Sequence, residues 1–153
     1  MRSYIQILNI FLLSLILSSC ATAPMTLPEK YSLDDQLEKV TGINSFRVME
    51  WYEVDQQSLI LKTGFNEYYL LVLNMPCHEL LFTYRIGVTS SASMIQAGFD
   101  SVILYYPGSP RISYKIERIY RIKGNEQMRS IKEQLKPNSD KKNVVVKRKD
   151  KST

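Results

Sequence analysis

Cysteine and histidine are scarce in this 153-residue chain, with two and one respectively. That scarcity excludes a disulfide-dense scaffold and a Cys/His zinc site, since structural zinc needs about four such ligands. Also missing are a Gly-x-Ser-x-Gly elbow, a phosphate-cradling glycine loop and any metal-ligand spacing, and His78 alone cannot serve both a triad and a metal. No cofactor is implied. Neither sign of charge dominates the body. Residues 20 to 136 hold 13 Lys+Arg and 13 Asp+Glu, so the overall +5 sits mainly in residues 137 to 153, where six cations face two carboxylates. A neutral body lacks the basic face that nucleic acid requires, and nucleic acid is not an expected partner. With 44% hydrophobic and 23% charged residues the usage is ordinary for one globular domain, which excludes fibrous, low-complexity and wholly disordered classes.

What is present begins at the N-terminus. Arg2 precedes an apolar run from Ile7 to Leu17, broken only by Asn9 and Ser14. At 11 residues it fits the core of an export signal, roughly 7 to 15 residues, and falls short of the roughly 20 that span a bilayer. It ends at Leu17-Ser18-Ser19-Cys20, which resembles a bacterial lipobox; the plainer alternative is an uncleaved anchor with an incidental cysteine. The resemblance implies that residues 1–19 are a lipoprotein signal peptide removed on maturation. Cys20 would then carry diacylglycerol and an acylated amine, with palmitate-type chains. More than one acyl chain gives stable attachment, so the expected location is a membrane surface. Ala21, in place of Asp, resembles the sorting pattern of outer-membrane lipoproteins facing the periplasm.

Residues 20–32 read as a lipidated tether with Pro24 and Pro28 and no periodicity. Ser32 as a cap, Asp34 and Asp35 in a first turn, and Leu33, Leu37 and Val40 on one face predict a short N-terminal helix ahead of Gly42. Residues 33–124 read as a β-rich domain. Strands are expected from Phe46 to Trp51 and through the hairpin 58–73, whose Gly64 and Asn66 tolerate positive φ. Further strands are expected at Arg85–Thr89, Phe99–Tyr106 and Ile112–Ile122. One helical turn is expected at Pro76–Phe82, a C-terminal helix over 125–136 with Met128, Ile131 and Leu135 in phase, and a basic disordered tail over 137–153. The expected class is mainly β: a small antiparallel sheet or barrel-like body of five to six strands with short N- and C-terminal helices.

Along Gly42 to Ile122, several runs together are similar to a family of short proteobacterial lipoproteins defined as a domain of unknown function. They are Ser45-Phe46-Arg47-Val48, Trp51, Ser58-Leu59-Ile60-Leu61, Thr63-Gly64, Asn66, Tyr69-Leu70-Leu71, Pro76-Cys77, Leu80, Ile86-Gly87-Val88-Thr89-Ser90, Phe99-Asp100 and Ile116-Glu117-Arg118-Ile119-Tyr120-Arg121. The resemblance implies a partner cysteine for Cys77 two residues before Ile116. Tyr114 stands there, so the family disulfide is absent. The family supplies no activity.

Trp51, Tyr68, Tyr69, Tyr105 and Tyr106 are the candidate binding surface, because exposed Trp and Tyr stack on sugars and anchor interfaces; core packing is the competing account. Cys77 is a free thiol open to three readings: buried, catalytic beside His78, or paired between molecules. Glu50, Glu53, Asp55 and Asp100 are the acid/base candidates, with no spacing that singles out a pair. Two functions follow as expectations. One is a non-enzymatic envelope lipoprotein that binds an envelope protein or peptidoglycan. The other is a small cell-wall hydrolase using unidentified carboxylates. An exposed aromatic or β-edge surface favours the first, a concave site with converging carboxylates the second.

Overall fold

A computed structural model of the chain describes residues 26–44, 47–105, 108 and 110–136. The lipobox-like run Leu17–Cys20, the start of the expected tether, Phe46, Tyr106 and the basic tail lie outside these residues.

The fold is built on the hairpin β4 (Ser58–Gly64) and β5 (Glu67–Leu73), turned by Asn66 at φ 57°. Of the two turn residues expected to use the left-handed region, Asn66 does so. From Ser58 to Leu61 and from Tyr68 to Leu73 every side chain is buried. Side chains alternate across a strand, so such runs need cover on both faces. Leu59, Leu61, Tyr69, Leu71 and Leu73 enter one core, and Ile60, Tyr68, Leu70 and Val72 the other. Each buried Leu or Ile contributes about 1.5–3 kcal/mol of transfer free energy.

Around the hairpin lie β1 (Glu38–Val40), β2 (Gly42–Asn44), β3 (Glu50–Asp55), β6 (Ile86–Val88), β7 (Met94–Gln96), β8 (Ser101–Leu104) and β9 (Ile112–Lys123). The main sheet is antiparallel and curled, in the order β3-β4-β5-β9-β8-β6, with β1 also paired to β9; β2 and β7 form a separate two-stranded sheet. The outer face is covered by α1 (Gly124–Leu135), through Met128, Ile131 and Leu135, and by Tyr31, Leu33 and Leu37. Inside the curl, Ile43 and Ile95 of the small sheet, with Cys77 and Leu80 from a 3-10 turn at His78–Phe82, close the second core.

The mainly β class is as expected, with nine strands among the described residues; β1, β2 and β7 are short additions. The helix expected over 33–40 does not form. Leu33 to Leu37 makes one turn, with the Leu37 N–H donating to the Leu33 carbonyl, and the chain then extends as β1. The reason is tertiary. β8 covers only the N-terminal half of one edge of β9, and β1 satisfies the rest, pairing Glu38–Val40 with Arg121–Ile119. The tether also joins the body earlier than expected: Glu29–Tyr31 is a 3-10 turn and Tyr31 is fully buried.

Candidate functional site

The curled sheet ends on β3 and β6, and the short β1, paired with β9 alone, is a third edge. Beside β3 lies the His78–Phe82 turn. Only Leu80 of its five residues is buried, anchored in the inner core, so its apolar neighbours are turned outward. Leu81 is 38% exposed, Phe82 69% and the following Tyr84 97%. Thr83 pins this segment, its hydroxyl lying 3.4 Å from the Tyr105 carbonyl and 3.5 Å from that of Arg85. Trp51 and Glu53 come from β3, opposite Leu61 and Leu59. Together Trp51, Glu53, Leu81, Phe82, Thr83 and Tyr84 line an open groove of about 400 Å³. Trp51 is half-buried against the inner core. Glu53 is exposed, and no hydrogen bond or ion pair engages it among the described residues.

The expected aromatic surface is therefore redistributed. Trp51 lines the groove. Tyr68 and Tyr69 are adjacent on β5, so they point to opposite faces, and both are buried, at 5% and 3% exposure. Tyr69 donates to Glu67 at 3.1 Å beneath the Arg121 guanidinium, and burial raises its phenol. Tyr105 is half-buried and stacked by Arg85 and Arg111, each 5.5 Å from its ring; Gly87 gives it room, since a Cβ there would sit 3.0 Å from the ring. Phe82, Tyr84 and Leu81 were not anticipated. Their signal in the sequence was Leu80-Leu81-Phe82-Thr83-Tyr84, a run with more apolar residues than one short turn can bury.

The four candidate carboxylates do not converge. Asp55 and Asp100 are both buried, and each is held by local donors that the other does not share. Glu50 sits at the exposed edge, where the Tyr52 hydroxyl and Lys62 hold its carboxyl below the usual range; that hydrogen bond pushes the Tyr52 phenol up to about 12. Cys77 is free and buried, which favours the buried reading over intermolecular pairing and an activated dyad. Burial pushes its thiol up, the opposite of what a thiolate nucleophile needs, while the neighbouring His78 is exposed. Its Sγ lies 3.6 Å from Glu79 Oε2, to which the Tyr114 hydroxyl donates at 3.3 Å. Tyr114 thus lies beside Cys77, where the resemblance implies a second cysteine.

Asp100 has a structural task. Ala92 and Ser93 both adopt positive φ, 52° and 63°, at a cost of about 1 kcal/mol or more each. Next to them Asp100 accepts from Ser91 N–H and Oγ, Thr89 Oγ1 and Gln96 N–H, at 2.8–3.3 Å. Burial opposes ionisation of Asp100, but these donors outweigh it and hold the carboxyl below its ordinary value. A lowered folded-state pKa gives stability that is present above about pH 4 and lost as pH falls through the folded value. Asp100→Asn should therefore cost about 1–3 kcal/mol in chemical denaturation at pH 7, with the gap narrowing at pH 3. A gap that is constant with pH would remove the carboxylate from this account.

Among the described residues no group of three or more His, Cys, Asp or Glu can hold a metal, and no helix is long and apolar enough to cross a membrane. Residues 3–138 match the model of a family described as "Family of unknown function (DUF6491)". No curated protein and no solved structure matches the chain.

Proposed function

The chain belongs to DUF6491, a family of unknown function, and on that premise we propose that it is a lipid-anchored envelope protein of the periplasmic face of the outer membrane, a binding module and not an enzyme. The observation that carries the reading is the exposure of Phe82 and Tyr84 at fixed positions beside Trp51. Large aromatics held in water beside a groove are characteristic of ligand surfaces, because stacking there gains apolar burial with little conformational entropy lost. Anchoring rests on the lipobox-like Leu17-Ser18-Ser19-Cys20, and the neutral body suits a protein or wall partner better than nucleic acid. Hydrolysis of a glycan is less well supported. It uses two carboxylates about 5–10 Å apart, and Glu53 is the one carboxylate lining this groove.

Two measurements test this. Mass spectrometry of the protein from its host should show an acylated N-terminus at Cys20 that is lost, with membrane retention, in Cys20→Ala; an unmodified chain starting at Met1 ends the anchoring proposal. In co-sedimentation with purified envelope fragments, the Phe82→Ala/Tyr84→Ala variant should keep its melting temperature and lose at least tenfold in retention. Undiminished retention would exclude the groove as the binding surface.

A further inference from the structure

Resting on that reading, we infer that the groove takes a basic side chain, lysine or arginine, presented by an extended segment of a partner protein along edge strand β3. The groove combines one charge with aromatic faces. Glu53 brings a carboxylate that nothing on the described chain neutralises, next to the Trp51 indole and the Phe82 and Tyr84 rings. The nearby cations of the chain are occupied elsewhere: Lys62 pairs with Glu50 at 3.4 Å, and Arg85, adjacent to Tyr84, stacks on Tyr105. An unpaired carboxylate among ring faces is complementary to an ammonium or guanidinium group, which gains from the ring quadrupoles and from the ion pair together.

The extended form of the occupant follows from β3. This strand pairs with β4 alone and occupies the sheet edge, so it offers backbone groups to an incoming strand while Trp51 and Glu53, two residues apart, share the groove side. A glycan is the less fitting occupant. It needs several hydrogen-bonding groups converging around a stacking platform, whereas the Thr83 hydroxyl is turned to the carbonyls of Arg85 and Tyr105, which leaves the Trp51 N–H and the Tyr84 hydroxyl besides Glu53.

Trp51 is the sole tryptophan of the chain, so its emission reports directly on the groove. The full chain in non-ionic detergent is titrated with a synthetic octapeptide of alternating lysine and threonine, with the same peptide fully Nε-acetylated, and with a tetramer of N-acetylglucosamine. The lysine peptide should give a saturable change that weakens as salt rises, with Kd raised about tenfold in Glu53→Gln, an exposed substitution that leaves folding unaffected. The acetylated peptide should give none. Equal titration of Glu53→Gln and wild type, or an equal response to the acetylated peptide, overturns the cationic occupant. A saturable response to the sugar in place of the lysine peptide overturns it too, while the groove itself stands. So does silence from all three probes when the Phe82/Tyr84 variant still loses envelope retention. If that variant keeps its retention, the groove reading falls and this inference falls with it.

Discussion

Asp55→Ala should destabilise the domain by about 4 kcal/mol, enough to lower Tm by roughly 15–25 °C for a body of this size. The carboxylate is 2% exposed and accepts from the Tyr31 hydroxyl at 2.7 and 2.9 Å, Ser58 Oγ at 2.8 Å, Gln57 N–H at 2.9 Å and Lys30 Nζ at 2.6 Å. Tyr31 and Ser58 are themselves fully buried, so removing the acceptor strands two hydroxyls and a backbone N–H without water. Lys30 is about half exposed and contributes little by comparison. The same cluster fixes where the N-terminal segment meets the sheet, because the Tyr120 hydroxyl donates to the Tyr31 carbonyl at 2.9 Å from the far side. Alkaline pH provides a second readout. Burial, then the hydrogen bond and charge of Asp55, raise the Tyr31 phenol far above its ordinary value. A raised folded-state pKa gives stability that is complete below about pH 10 and lost as pH rises past it, when the unfolded phenol ionises and the folded one does not. Wild type should therefore lose stability above pH 10 more steeply than Tyr31→Phe. A melt of Asp55→Ala within about 1 kcal/mol of wild type would refute the account.

Inserting one alanine between Ile119 and Tyr120 should abolish cooperative folding, a loss of more than about 4 kcal/mol. In β9, Leu73 pairs with Ile116 and Val72 with Arg118, so Glu117 is one extra residue facing a single step of β5, a β-bulge. Before it Tyr114 and Ile116 enter the inner core; after it Ile119 does, while Tyr120 and Ile122 enter the outer one. The bulge already absorbs one extra residue, so a second one after Ile119 would by strict alternation put Tyr120 and Ile122 on the same face as Tyr114, Ile116 and Ile119. One half of the strand would then carry its apolar set into the wrong core. Circular dichroism and thermal melting are sufficient readouts, with Glu117→Ala as the control that keeps the bulge and stays within about 1 kcal/mol of wild type. An insertion variant with a sharp near-native melt would show that the register adapts.

The legible parts of the fold were those in which a local signal and the tertiary environment agree. The 58–73 hairpin is doubly apolar and carries its own turn residue, Asn66. The C-terminal helix has Met128, Ile131 and Leu135 in phase, after Gly124 at φ 79°. Leu33 to Val40 failed because its helix signals are correct for one turn only, after which an unpaired stretch of β9 recruits Glu38–Val40 as a strand. Of the aromatic site, Trp51 was identified from sequence. Tyr68 and Tyr69 were not separable from it, since a residue two strands from an edge and one on the edge look alike in a linear pattern.

By itself the sequence determined the class, mainly β with a C-terminal helix, because alternation and helical phase are local properties written into consecutive residues. It also determined that the body is electrically neutral and that its cations gather at the end, because charge is a sum that needs no coordinates. Only the tertiary structure decided that Asp55 and Asp100 are buried clamps, that Cys77 is a shielded thiol beside Tyr114, and that Phe82, Tyr84, Trp51 and Glu53 meet in one groove. Those outcomes depend on which strands become edges and where a bulge reverses a face, and both are set by pairings between residues far apart in the chain.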